Sequence, residues 1–248
     1  DRTLDLYRAY ARLHLRLFPY VWTFVIRNQT DGRAILRPLG LAHPELGVHP
    51  RHDYLLGDDI LVAPVTARGA RRRRVTLPEG RWLDGWTGET MEAPPGGLSF
   101  EAEAPLERIP FFLRGGAVIP RLRPEVDTLA PAEAPGVESA ANEPGRLWVW
   151  VAGPPRRRET FEVFDGARVT STPEAGGFRL ELAPGERFVD GAVFEVLGAA
   201  PPSALEDLEG APIPERADLD ALRAADAGFI RAGDRTFVKP PGAGVLWR

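Results

Sequence analysis

Between Ile60 and Ile119 the strand-like runs 60–65, 74–77, 81–84, 98–102, 108–113 and 116–119 follow one another at very short intervals. A parallel connection needs a crossover of roughly a dozen residues or more, and apart from 85–97, which glycines and prolines break, the gaps here are too short to hold a helix. The sheet in this stretch must therefore be antiparallel, and the spacing predicts a two-layer sandwich. With 25 prolines and 26 glycines, the chain as a whole favours short elements and many turns. A second β region opens at Leu147-Trp148-Val149-Trp150-Val151, with further strands near 160–164, 168–171, 177–182 and 192–197. Asp165-Gly166 is a hairpin turn signal. Residues 218–226 read as a short helix, and 235–239 with 244–247 as a closing hairpin.

Only the N-terminus departs from this pattern. Leu6, Tyr10, Leu13, Leu17, Val21 and Phe24 recur every three or four residues, which predicts a helix over residues 3 to about 27 with Thr3 as its N-cap. A second row, Leu15, Phe18, Trp22 and Ile26, runs beside the first. Such a helix needs cover on two sides. Pro19 lacks a backbone donor and should kink it.

The 248 residues, 44% of them hydrophobic, are enough for one large or two modest cores. The net charge of −4 with dispersed basic residues excludes an electrostatic footprint for nucleic acid or a membrane surface. No apolar run approaches the ~20 residues of a membrane span, and no signal peptide is visible. Zero cysteines exclude disulfides and thiolate metal sites without selecting a compartment. The chain starts at Asp1 without a methionine, which leaves the native N-terminus and any signal with it open.

Several side chains invite a chemical reading. Asp58-Asp59 is the most tempting pair, because retaining glycoside hydrolysis needs two carboxyls about 5–5.5 Å apart. Adjacent residues entering a strand point to opposite faces, however, and the pair reads better as a turn carboxylate capping backbone donors beside a solvated neighbour. Asp53 and Asp84 read the same way. His49-Pro50-Arg51-His52 has a ligand-like spacing but no third ligand, and its prolines place it in a loop. The arginine runs 71–74 and 156–158 fall on separate turns, where arginines are solvated. Trp82, Trp86, Phe111 and Phe112 read as core, and Trp148 with Trp150 as partners on one strand face. No phosphate-binding loop is present. The residues thus supply no catalytic, cofactor-binding or metal site.

Five motifs stand in a recognisable order: Arg16-Leu17-Phe18-Pro19-Tyr20, Ile35-Leu36-Arg37-Pro38-Leu39, Tyr54 to Val65, Val75 to Glu89, and Pro105 to Pro120. Together they resemble the C-terminal part of glycoside hydrolase family 31, which includes α-glucosidases and α-xylosidases. The resemblance covers residues 1–120 well and the rest loosely. It implies a mainly β chain of antiparallel sandwich domains, preceded by the last helix of a (β/α)8 barrel that is otherwise absent. The implied division is barrel helix and loop over 1–33, proximal sandwich over 34–120, linker over 121–145 and distal β-domain over 146–248. It also implies that the family's two catalytic aspartates lie upstream, so that this chain is a structural portion of a retaining α-glycosidase and is inactive alone. Its partners would be the upstream barrel and, in the intact enzyme, an α-glycoside. Two alternatives compete: a free-standing sandwich binding glycans or a protein, recognisable by exposed aromatics on a sheet face, and a complete hydrolase with unrecognised acids.

Overall fold

The computed structural model describes residues 1–248. Helices α1 (Arg2–Arg16) and α2 (Phe18–Asp31) come first. Asp1, not Thr3, is the N-cap, and its carboxylate accepts from the Thr3 amide at 3.0 Å. The expected kink is a break at Leu17, two residues before Pro19. Proline forbids the normal bond to the carbonyl four residues earlier, so the turn ahead of it loosens. Leu17 nonetheless keeps right-handed torsions (φ −74°, ψ 0°), and the two helices stay in phase. Gly32, at φ 70°, caps α2 by donating to the Asn28 carbonyl.

The first β unit contains β1 (Leu36–Pro38), the short α3 (Leu39–Ala42), β2 (Tyr54–Leu56), β3 (Ile60–Val62), β4 (Arg72–Leu77), β5 (Gly80–Asp84), β6 (Thr90–Ala93), β7 (Leu98–Glu103) and β8 (Phe111–Arg114). Six of these strands form one sheet in the order β1-β2-β3-β8-β5-β6, and β4 pairs with β7 as a separate ribbon. Alternation then divides the side chains. Leu61, Trp82 and Phe112 point toward Val75, Leu77 and Ala102 of the ribbon and form a small core with them. Ile60, Leu83, Phe111 and Leu113 point the other way, into a core of 36 buried residues that runs through α2 and the second β unit.

That second unit comprises β9 (Val118–Arg121), β10 (Leu147–Ala152), β11 (Glu159–Glu162), β12 (Arg168–Glu174), β13 (Gly177–Ala183), β14 (Ala192–Leu197), β15 (Leu205–Glu206), α4 (Leu219–Ala224), β16 (Gly228–Ala232), β17 (Arg235–Lys239) and β18 (Gly244–Trp247). Its two sheets have the orders β16-β17-β14-β10-β9 and β11-β12-β13-β18-β15. The chain is mainly β, as expected, and every strand pair is antiparallel except β10 with β14. Strands β11 to β13 lie between those two in sequence, which gives the long crossover that parallel pairing requires.

The expected closing hairpin does not form. β17 pairs with β14 and β16 in one sheet, and β18 with β13 and β15 in the other. The intervening Pro240-Pro241 cannot donate ladder hydrogen bonds and carries the chain between layers. The stretch 121–145 has no regular strand beyond its first residue, yet it buries Leu122, Val126, Ser139 and Ala140. Asp165-Gly166 is a turn as expected: the buried Asp165 carboxylate accepts from the amides of Ala167, Arg187 and Phe188.

Candidate functional site

Because α1 and α2 stay in phase, Leu4, Tyr7, Ala11, Leu15, Phe18, Trp22 and Ile26 fall at intervals of three or four along one side of the helical pair. Tyr7 is 71% exposed and Trp22 42%, and Leu4 and Ile26 are also open to solvent. Phe18 stacks on Trp22 at 5.9 Å and meets Phe164 edge-on at 5.6 Å. On the opposite side, Leu17, Tyr20 and Phe24 are buried in the large core. The two apolar rows read from the sequence therefore have different fates. The first packs mainly against this chain, while the second is partly covered at Leu15 and Phe18 and open at Trp22 and Ile26, and α1 buries no residue at all.

Behind the stripe a buried polar knot fixes α2 to the first β unit. The Tyr20 hydroxyl accepts from the amides of Asp58 and Asp59 at 3.1 and 3.0 Å. It also lies 3.2 Å from the Leu56 carbonyl and 3.3 Å from an Asp59 carboxylate oxygen, either of which can take its proton. Burial, then the charge of Asp59, pushes the phenol well above its ordinary pKa, so it remains a donor. Gly57, at φ 63°, brings the turn against this ring, where an added Cβ would collide with Tyr20 and Phe24.

Asp58 and Asp59 diverge as expected, but neither plays the role assigned to it. Asp58 pairs with Arg37 and leaves the turn amides to Tyr20. Asp59 is buried, and accepts from Arg114 Nε at 2.8 Å. Arg114 also donates from both terminal nitrogens to Glu159 at 3.2 Å, joining the first β unit to β11. Burial pushes the Asp59 carboxyl up despite the opposing charge of Arg114. Two carboxylates already neutralised by arginines on opposite sides do not form a nucleophile and acid/base pair. Replacing Tyr20 by phenylalanine is expected to cost about 2–3 kcal/mol, because two buried amides lose their acceptor. Asp58→Ala should cost less than about 1 kcal/mol, since its partly exposed ion pair is worth little. Urea melts giving the reverse order would restore Asp58 as the key turn residue.

The other residues weighed from sequence are dispersed. Asp84 caps its turn by accepting from the amides of Trp86 and Thr87 at 2.7 and 2.9 Å. Asp53 is not a solvated turn residue but a buried partner of Arg73, itself in β4 and largely covered. His49 lies against Gly40, and no set of three metal-ligating side chains comes together there. Trp148 and Trp150 share a face without stacking on each other. Trp150 lies on Phe111 at 5.9 Å with Arg121 over its ring, while Trp148 meets Phe237 edge-on at 6.1 Å. No local pattern signals the buried cluster in which Glu195 pairs with Arg121 and Arg235, because its members are separated by tens of residues.

Residues 32–119 match the family model of the glycosyl hydrolase family 31 C-terminal domain. The chain is similar to a 1,3-alpha-isomaltosidase of Kribbella flavida, 38% identical over 117 residues, or 46% of this chain and 16% of that protein. An alpha-xylosidase of Saccharolobus solfataricus is 35% identical over 121 residues, covering 48% of this chain and 16% of that protein. In fold, the whole chain superposes on 24% of the cycloalternan-forming enzyme of Listeria monocytogenes with a TM-score of 0.81 at 24% identity. The matched length is thus a minor part of each relative.

Proposed function

We propose that this chain is the structural C-terminal portion of a retaining α-glycosidase, and that the outer helical stripe seats on a (β/α)8 barrel carrying the catalytic aspartates. The carrying observation is the exposure of Leu4, Tyr7, Trp22 and Ile26 along one side of a helical pair whose other side is packed into this chain. An apolar stripe that includes Tyr7, Trp22 and Ile26 is costly in water and marks a contact surface. The inner row, held by the Tyr20 knot and the Arg114 bridge, makes that surface rigid, and a catalytic rim held to fractions of an ångström depends on such backing. The division of the chain goes with this reading: barrel helix and loop over 1–33, proximal sandwich over 34–120, connecting stretch over 121–145 and distal β-domain over 146–248.

A free-standing glycan-binding sandwich would present aromatics on a sheet face. The large aromatics most open to solvent, Tyr7 and Trp22, are both helical.

The test is to co-express this chain with the barrel encoded upstream of Asp1 and assay aryl α-glucoside and α-xyloside hydrolysis. Neither piece alone should turn over substrate, and the pair should. Trp22→Asp and Ile26→Asp should each reduce the pair to the level of the barrel alone, because each places an unpaired charge in the contact. Asp58→Asn should leave the rescue intact. A barrel equally active without this chain refutes the role.

A further inference from the structure

The outer side of the helical pair runs from Leu4 to Ile26, a length of about 33 Å at roughly 1.5 Å per residue. A stable contact covers on the order of 800 Å² of each partner, so a body seated along that length spans about 24 Å across it. A helix with its side chains is about 10–12 Å wide. The contact must therefore overhang the helices. On one flank of α2 the overhang meets the turn after β11, where the Phe164 ring lies 5.6 Å from Phe18, itself stacked on Trp22. That turn is fixed to the helix: the Phe164 amide donates to the Thr23 hydroxyl at 2.9 Å, and Arg27 donates to the Glu162 carbonyl at 2.7 Å.

Beside Ile26 the same flank is hollowed into a groove of about 530 Å³, with Ile26 and Phe164 in its wall and Glu162 and Glu186 along its lining. Both glutamates are exposed, and neither enters an ion pair or a side-chain hydrogen bond. Arg27 is the only cation of the lining, and its guanidinium is held over the rings of Phe24 and Phe161 with its hydrogen bond directed to a carbonyl. The charge left uncompensated in the groove is negative. A neutral or acidic surface pressed onto it would take two carboxylates out of water without a partner, a costly arrangement. We infer that the second β unit touches the upstream barrel directly, and that the barrel surface over this groove is basic, with lysine or arginine side chains facing Glu162 and Glu186. This inference rests on the seating of the helical stripe on a barrel, and adds which part of the second unit shares the contact and what chemistry it meets there.

The test dilutes the co-expressed pair of this chain and the barrel, and reads an apparent Kd from the fraction that still elutes together. At low salt, Glu162→Lys and Glu186→Lys should each raise that Kd about tenfold, because a like charge then faces the basic surface. Both positions are exposed, so the Tm of this chain should not move. Added sodium chloride should weaken the parent pair and weaken the two variants less, since it screens an attraction that they lack. Glu209→Lys changes the net charge equally but lies in the turn after β15, at the far edge of the sheet that begins with β11, and should leave the Kd unchanged. If Trp22→Asp separates the pair while both groove variants bind like the parent, the stripe still seats on the barrel and the direct contact of the second unit is overturned. Equal weakening by Glu209→Lys also overturns it, as an effect of net charge alone. If no pair forms at all, or Trp22→Asp and the groove variants alike leave it intact, the seating of the stripe falls and this inference with it.

Discussion

Replacing Glu195 by alanine is expected to destabilise the fold by about 3–5 kcal/mol, the cost of leaving a buried charge without its partner. Glu195 is buried and holds Arg121, which is fully enclosed, and Arg235, whose Nη1 lies 2.5 Å away. Burial alone would push the Glu195 carboxyl up, but the charges of Arg121 and then Arg235, with their hydrogen bonds, hold it below its ordinary value. A carboxyl with a depressed folded pKa stabilises above its unfolded pKa of about 4.3, and that contribution is lost as pH falls through the folded value. The gap between parent and Glu195→Ala should therefore be full at neutral pH and narrow below about pH 4. Urea melts across that range check both size and sign. A loss under about 1 kcal/mol at neutral pH would mean that the cluster behaves as a surface pair.

Trp82→Ala and Phe111→Ala are each expected to cost about 3–5 kcal/mol, because each empties a filled aromatic site. Trp82 sits in the small core, where its indole N–H donates to the Pro78 carbonyl at 2.9 Å, so truncation also frees a buried acceptor. Phe111 lies in the large core, between the edge of Trp86 and the face of Trp150. Gly85 packs so closely on its ring that an added Cβ would collide with it, which shows how little space is available for collapse. Chemical denaturation of the two variants provides the measurement. A change under about 1.5 kcal/mol at either site would show that the neighbours relax into the void.

Local pattern made much of this molecule legible. Short strand-like runs bounded by turn residues located β4, β5, β7, β12, β13 and β14, because each carries its signal in its own residues. The double apolar row on the helix was readable for the same reason, as was the turn at Asp165-Gly166. What escaped depends on residues distant in the chain. The turn amides beside Gly57 are satisfied by Tyr20, 38 residues away, so a reading confined to neighbours assigned them to Asp58. Arg73 looked solvated within a run of four arginines, but alternation along β4 turned it inward to Asp53. β17 and β18 are close in sequence yet lie in different sheets, a choice made by the partners β14 and β13.

The placement of β9 has a mechanical consequence. β8 ends at Arg114 in the first sheet, and β9 begins at Val118 in the second, hydrogen-bonded along β10. Three residues between sheets leave no slack, and the Arg114 bridge to Glu159 clamps the same junction. The two β units therefore cannot swing about a hinge here. A load applied to the helical stripe passes through both of them as through one beam, and the second unit adds stiffness to the first even where it touches nothing else.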